Sequence, residues 1–61
     1  MTNEEKMIIK EYFEKCGAKA SESCLDRIEK EDLISDFLEY AKNKHYLLPG
    51  DIYTIVAYGG F

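Results

Sequence analysis

The chain has 61 residues, of which 46% are hydrophobic, and its net charge at pH 7 is −4. A chain of this length forms one small domain, residues 1–61, and its hydrophobic fraction is typical of a folded protein rather than a disordered one. It contains eight Lys and Arg residues, and Arg27 is the only arginine. Nucleic-acid binding needs a clustered basic face, so the composition argues against a nucleic-acid partner.

The sequence also predicts where the protein is found. The first fifteen or so residues are charged and lack the apolar core of a signal peptide. The longest uncharged stretch, residues 52–61, is far shorter than the ~20 residues of a membrane helix. We therefore expect a cytoplasmic protein with no membrane partner, in which Cys16 and Cys24 are reduced.

The first predicted helix spans about residues 3–16. Thr2 and Glu5 have the spacing of a capping box, and Gly17 is placed to end the helix. Glu11 precedes Lys15 by four residues, the favoured direction for an ion pair on a helix. The apolar residues recur at helical spacing and form one stripe: Ile9, Tyr12, Phe13 and Cys16, with Ile8 at its edge.

The second and third predicted helices, about 22–29 and 32–45, are separated by a break within residues 29–32. Ser21 or Ser23 is the N-cap of the second helix. Leu25 and Ile28 face one way, whereas the next apolar residues face the opposite way on the same helical wheel: Leu33, Ile34, Phe37, Leu38 and Ala41. The break resolves this conflict, with Asp32 or a neighbour as the new cap. One long helix whose halves contact different surfaces is the alternative.

The C-terminal segment predicts a short fourth helix over about residues 49–58. Pro49 ends the third helix, whose last turn carries Lys42, Lys44 and His45, and it suits the first position of a new one. The helical reading puts Leu48, Ile52, Ile55 and Val56 on one face and stops at Gly59-Gly60. Residues 52–56 also have strand composition, so strand pairing between two copies competes. The predicted fold is all-α, a three- to four-helix bundle.

No residue pattern indicates catalysis, a metal or a cofactor. Cys16, Cys24 and His45 lack the close cysteine pair of a zinc site. A cysteine–histidine catalytic pair also needs an orienting group and a cleft, and neither cysteine has a catalytic signature around it. We expect two small buried cysteines and a histidine at a helix end, in a protein that is not an enzyme.

The candidate partner-binding residues are aromatic and acidic. Tyrosine is enriched at interfaces because it buries a large area while keeping a polar tip. The acidic residues share one helical face and are expected either to meet a basic partner or to be an ordinary solvated surface. The residues predicted to bind a partner are Tyr46, Tyr53, Tyr58 and Phe61, with an acidic stripe of Asp32, Asp36 and Glu39.

These features favour a small acidic regulator that binds a protein partner, of the inhibitor, adaptor or antirepressor type. A helix-turn-helix DNA-binding module is an alternative, although its recognition helix would turn acidic side chains toward phosphates. A homodimeric structural protein, in which the C-terminal segment packs on a second copy, is another.

Overall fold

Four α-helices account for most of the chain. The computed structural model describes residues 1–58 and contains α1 (Asn3–Lys15), α2 (Glu22–Lys30), α3 (Ile34–Lys42) and α4 (Pro49–Tyr58). No strand occurs in this part of the chain, so the all-α prediction is confirmed and the strand alternative for residues 52–56 is wrong. Helix α1 packs against α3, and α2 against α4. The predicted stop at Gly59-Gly60 lies outside the described residues.

The first two helices begin with side-chain caps. The Thr2 hydroxyl accepts a hydrogen bond from the Glu5 amide at 3.1 Å, and the Glu5 carboxylate accepts one from the Thr2 amide at 2.8 Å. This is the predicted capping box, and its hydrogen bonds, led by the Thr2 amide, lower the pKa of the Glu5 carboxyl. In α2 the Ser21 hydroxyl accepts from the Cys24 amide at 3.2 Å, so Ser21 rather than Ser23 is the cap.

The first three helices end in the same way, in a Schellman motif. After each C-cap one residue has a left-handed backbone: Gly17 (φ 80°), Asp32 (φ 56°) and Lys44 (φ 54°). The next amide then bonds a carbonyl in the last helical turn, as Leu33 does to Ile28 at 2.9 Å and His45 does to Tyr40 at 2.9 Å. Each reversal satisfies carbonyl groups that the helix end leaves free and turns the chain sharply.

The boundaries of α3 correct two predictions. The break within residues 29–32 is confirmed, because α2 ends at Lys30. Asp32 does not cap α3, however, because it forms the left-handed turn, and Leu33 takes the cap position without a side-chain hydrogen bond. The helix ends at Lys42 instead of the predicted residue 45, because the turn at Lys44 closes it.

The core is apolar throughout and draws on all four helices. Helix α4 contributes Ile52, Ile55 and Val56, as predicted. Leu48, predicted on the same face, is 72% exposed, because it lies before the helix begins. No polar or charged residue among the described ones is buried. The buried residues are Ile9, Tyr12, Phe13, Cys16, Leu25, Ile28, Leu33, Phe37, Ile52, Ile55 and Val56.

The left-handed turn at Lys44 gives a first prediction. A side chain with a Cβ atom is strained at this φ, whereas glycine is not. We expect Lys44→Gly to be more stable than Lys44→Ala by about 0.5–1 kcal/mol, after the added freedom of glycine in the unfolded chain is counted. Denaturant unfolding of both variants measures this difference. Both variants lack the Lys44 charge, so the loss of that charge does not contribute to the difference. Equal stability, or a less stable glycine variant, would contradict the assigned turn.

Candidate functional site

Tyr12 joins α1 to the segment that follows α3. Its side chain is 2% exposed, and its hydroxyl donates a hydrogen bond of 2.7 Å to the His45 carbonyl. Its ring also lies within 6.5 Å, between centroids, of four other aromatic rings: Phe13, Phe37, Tyr40 and Tyr46. The bond fixes the backbone one residue before Tyr46, so the buried tyrosine positions an exposed one.

The surroundings of Tyr12 keep its hydroxyl protonated. Burial raises the pKa of Tyr12 well above its usual range, because the phenolate would lose its hydration, and a hydrogen bond involving the Cys16 side chain adds to the effect. A neutral hydroxyl is a hydrogen-bond donor, which is what the bond to His45 requires.

A groove of about 400 Å³ lies between α1 and α3. Its α1 residues follow helical spacing along a face beside the buried one, and Tyr46 closes it after α3. The Tyr46 ring centroid lies 5.8 Å from that of Tyr12, and the side chain remains 46% exposed. No described residue of α2 or α4 contributes. The lining residues are Ile8, Glu11, Tyr12 and Lys15 from α1, Leu38, Ala41 and Lys42 from α3, and Tyr46.

The charged groups of the groove lie on its two walls. Lys15 is in the last turn of α1, and Lys42 is in the last turn of α3. The predicted ion pair between Glu11 and Lys15 is not formed within 4.0 Å, and Lys42 also has no carboxylate partner among residues 1–58. The groove therefore holds two ammonium groups and one carboxylate in a chain whose net charge is negative.

The predicted aromatic residues do not form one patch. Tyr46 lines the groove, whereas Tyr53 lies on α4, where its hydroxyl accepts a hydrogen bond of 3.0 Å from the Lys19 amide. Tyr53 is 42% exposed, but it already holds α4 against the connection between α1 and α2. Tyr58 is 82% exposed at the end of α4. Phe61 lies outside the described residues.

The predicted acidic stripe is shorter than expected. Asp36 and Glu39 are exposed on α3, but Asp32 lies in the turn before that helix and is not part of its face. Glu39 lines a second depression on α3 that shares Leu38 and Lys42 with the groove. The structure thus brings Glu39 close to the Tyr46 groove.

The residues considered for chemistry show no arrangement for it. Within the described part of the chain, no group of three or more His, Cys, Asp and Glu residues is placed to hold a metal ion. Cys16 is buried, Cys24 is half-buried, and neither is in a disulfide. Among residues 1–58, no hydrogen bond joins His45 to either cysteine.

Some of the apolar residues predicted on α1 and α3 line the groove instead of the core, and the helical pattern alone does not show this. In the sequence pattern Ile8 lies at the edge of the α1 stripe, and Leu38 and Ala41 belong to the apolar stripe of α3. In the structure none of the three is fully buried, and Ile8 is 37% exposed. When the apolar stripes of two packed helices are wider than the surface over which the helices touch, a groove is left along the edge of that contact.

The buried hydroxyl of Tyr12 predicts a defined pH dependence. Because its pKa is raised in the folded chain, the unfolded chain binds fewer protons above about pH 10, and stability falls as pH rises from there. The contribution of the Tyr12 hydroxyl to the free energy of unfolding is fully present below that pH. Above it, this contribution decreases by up to about 1.4 kcal/mol per pH unit.

Tyr12→Phe tests this. At pH 7 we expect the variant to lose about 1 kcal/mol, since the His45 carbonyl loses its donor. Above about pH 10 its stability declines less steeply than that of the wild type, and the difference narrows. Urea unfolding between neutral and alkaline pH measures both curves, and curves that stay parallel would exclude the proposed role of Tyr12.

Within residues 1–58, no helix has both the length and the apolar character needed to cross a membrane. Comparison of the chain with protein-family models, curated proteins and solved structures gives no match.

Proposed function

We propose that the chain is a small, non-enzymatic regulator that binds a protein partner through the groove between α1 and α3. The observation that supports this most is the composition of the groove. Aliphatic side chains and two tyrosines line it, and charged groups accompany them on both helices. An apolar centre with a polar rim is the usual anatomy of a protein–protein interface.

The chemistry of the lining residues favours binding over catalysis. The only hydroxyl groups are those of Tyr12 and Tyr46, and that of Tyr12 is engaged with the His45 carbonyl. Among the residues that line the groove, no hydrogen bond or ion pair joins Glu11, the one carboxylate, to a lysine or a tyrosine, so no nucleophile is held by a base as covalent catalysis requires. What the groove offers a ligand is apolar area, an aromatic ring and charge.

The size of the groove fits a reversible interaction. A volume of about 400 Å³ accepts one or two large side chains of a partner, in the manner of anchor residues. Small interfaces of this kind support weak or transient complexes. Inhibitor, adaptor and antirepressor functions all require reversible attachment to a protein, and these remain the three forms of the proposal.

The predicted binding residues differ in how close they lie to the groove. Tyr46 takes the central place, because it lines the groove and is 46% exposed, and Glu39 lies in the adjoining depression. Tyr53 is secondary, since its hydroxyl already bonds the Lys19 amide. Asp36 and Tyr58 are exposed and extend the surface only for a partner that reaches beyond the groove.

Photo-crosslinking in the cells that make the protein tests this proposal. A photoreactive phenylalanine derivative replaces Glu11 in the groove or, as a control, Glu14, which is exposed on α1 and does not line the groove. We expect a discrete adduct with another protein from position 11 alone, because a bound partner covers that side chain. Mass spectrometry identifies what is attached.

A groove-filling substitution completes the experiment. Ala41→Trp places a large ring in the groove, whereas Ala57→Trp places the same ring on the exposed side of α4. We expect the first to reduce the adduct by about tenfold or more and the second to leave it unchanged. Equal adducts from positions 11 and 14, or an adduct that persists in Ala41→Trp, would refute the groove as the binding site. An adduct between two copies of the chain would replace the proposal with the homodimer.

A further inference from the structure

The walls of the groove determine what kind of segment it can hold. Both walls are α-helices, whose backbone groups are bonded within the helix, and no strand occurs in residues 1–58. The groove thus offers no free sheet edge to which an extended peptide would add by main-chain hydrogen bonds. Recognition by this groove therefore relies on side-chain contacts, as when an amphipathic helix lies in an apolar groove.

The length of the groove sets the spacing of the partner's anchors. On α1 it runs from Ile8 to Lys15, which corresponds to about 10 Å, or two helical turns. Residues i and i+4 of a docked helix lie about 6 Å apart and project from one face. Two apolar anchors at that spacing therefore fit along the groove, and a third at i+8, about 12 Å from the first, would extend past its end.

The charged groups of the groove indicate which charges a partner should carry beside its apolar anchors. Lys15 and Lys42 stand on opposite walls, and neither has a carboxylate within 4.0 Å among the described residues. Lys44 and His45 follow Lys42 directly and are exposed. Lys6 and Lys10 share Glu22, and Arg27 has Glu31, whereas Lys19 and Lys30 are also without a carboxylate partner among these residues but lie outside the groove. The groove thus presents unpaired cations in an acidic chain, so carboxylates of a partner complement it.

We infer that the groove binds an acidic amphipathic helix of a partner protein, with two apolar anchors at i and i+4 flanked by Asp or Glu. The inference rests on the proposed function and adds the class of partner. The anchors cover Ile8, Leu38 and the Tyr46 ring, and the flanking carboxylates pair with Lys15 and Lys42. Glu11, the one carboxylate in the groove, disfavours an acidic residue opposite it and so sets the register of the helix.

Three synthetic peptides test the inference directly. Each has about 14 residues, a helical pattern with Leu anchors at i and i+4, and flanking residues that are all Glu, all Gln or all Lys. We expect affinity for the full chain to follow the order Glu, Gln, Lys. Fluorescence anisotropy measures it at two salt concentrations, and only the Glu peptide should lose affinity as salt rises. An equal or reversed order would overturn the inference.

Charge-matched variants locate the contacts. Each exposed ion pair contributes a factor of about two to five in affinity, so Lys15→Gln with Lys42→Gln should weaken the Glu peptide by about fivefold or more. Lys19→Gln with Lys30→Gln removes the same charge from exposed positions outside the groove and should leave affinity unchanged. The Gln peptide should bind both double variants as it binds the wild type. Equal losses in the two double variants would show a long-range charge effect and would overturn the assigned contacts.

The outcomes separate this inference from the proposed function. If all three peptides bind equally and Ala41→Trp abolishes binding, the groove binds helices but does not select acidic ones. If none binds at about 1 mM while the crosslinked partner persists, the partner uses another conformation and the inference fails alone. If anionic phospholipid vesicles bind and compete with the Glu peptide, the cations serve a lipid surface, and the inference is also overturned.

Discussion

The hydrogen bond from the buried Tyr12 hydroxyl to the His45 carbonyl connects the core of this protein to its surface. The donor lies among the aromatic rings shared by α1 and α3, and the acceptor lies in the connection to α4. Tyr46 follows the acceptor directly, so the same bond that orders the connection also places the ring that closes the groove. Core packing and groove shape are therefore not independent in this chain.

The helix content could be predicted from the sequence, and the helix ends only in part. Apolar spacing placed the four helices, and Gly17 marked the end of α1 because glycine favours positive φ. Asp32 and Lys44 adopt the same conformation without being glycine; Asp tolerates positive φ better than most residues, but local preference gives no indication of the turn at Lys44. Tertiary contacts decide these turns: Leu33, next to Asp32, is buried, and the His45 carbonyl accepts from Tyr12. Such contacts join residues far apart in sequence, which periodicity does not register.

The candidate site, like the helix ends, depends in part on contacts between residues that lie far apart in the sequence. Tyrosine enrichment directs attention to the C-terminal half, but each tyrosine's neighbours determine whether its ring is free. Tyr53 bonds the Lys19 amide, 34 positions away in sequence, whereas Tyr46 leaves half of its surface beside the groove. The groove itself depends on how far α1 and α3 overlap. A helical wheel gives the direction of each apolar stripe and not the part of it that a neighbour covers.

The position of α4 explains why one apolar face stays open. Arg27 of α2 donates a hydrogen bond of 2.8 Å to the Ala57 carbonyl near the end of α4, and Tyr53 bonds the connection before α2. These polar contacts commit α4 to the α2 side of the bundle, where its three buried aliphatic residues complete the core. The border between α1 and α3 is left without a covering helix. In the proposed complex a helix of the partner covers this border, and Lys15 and Lys42 on opposite walls pair with its carboxylates.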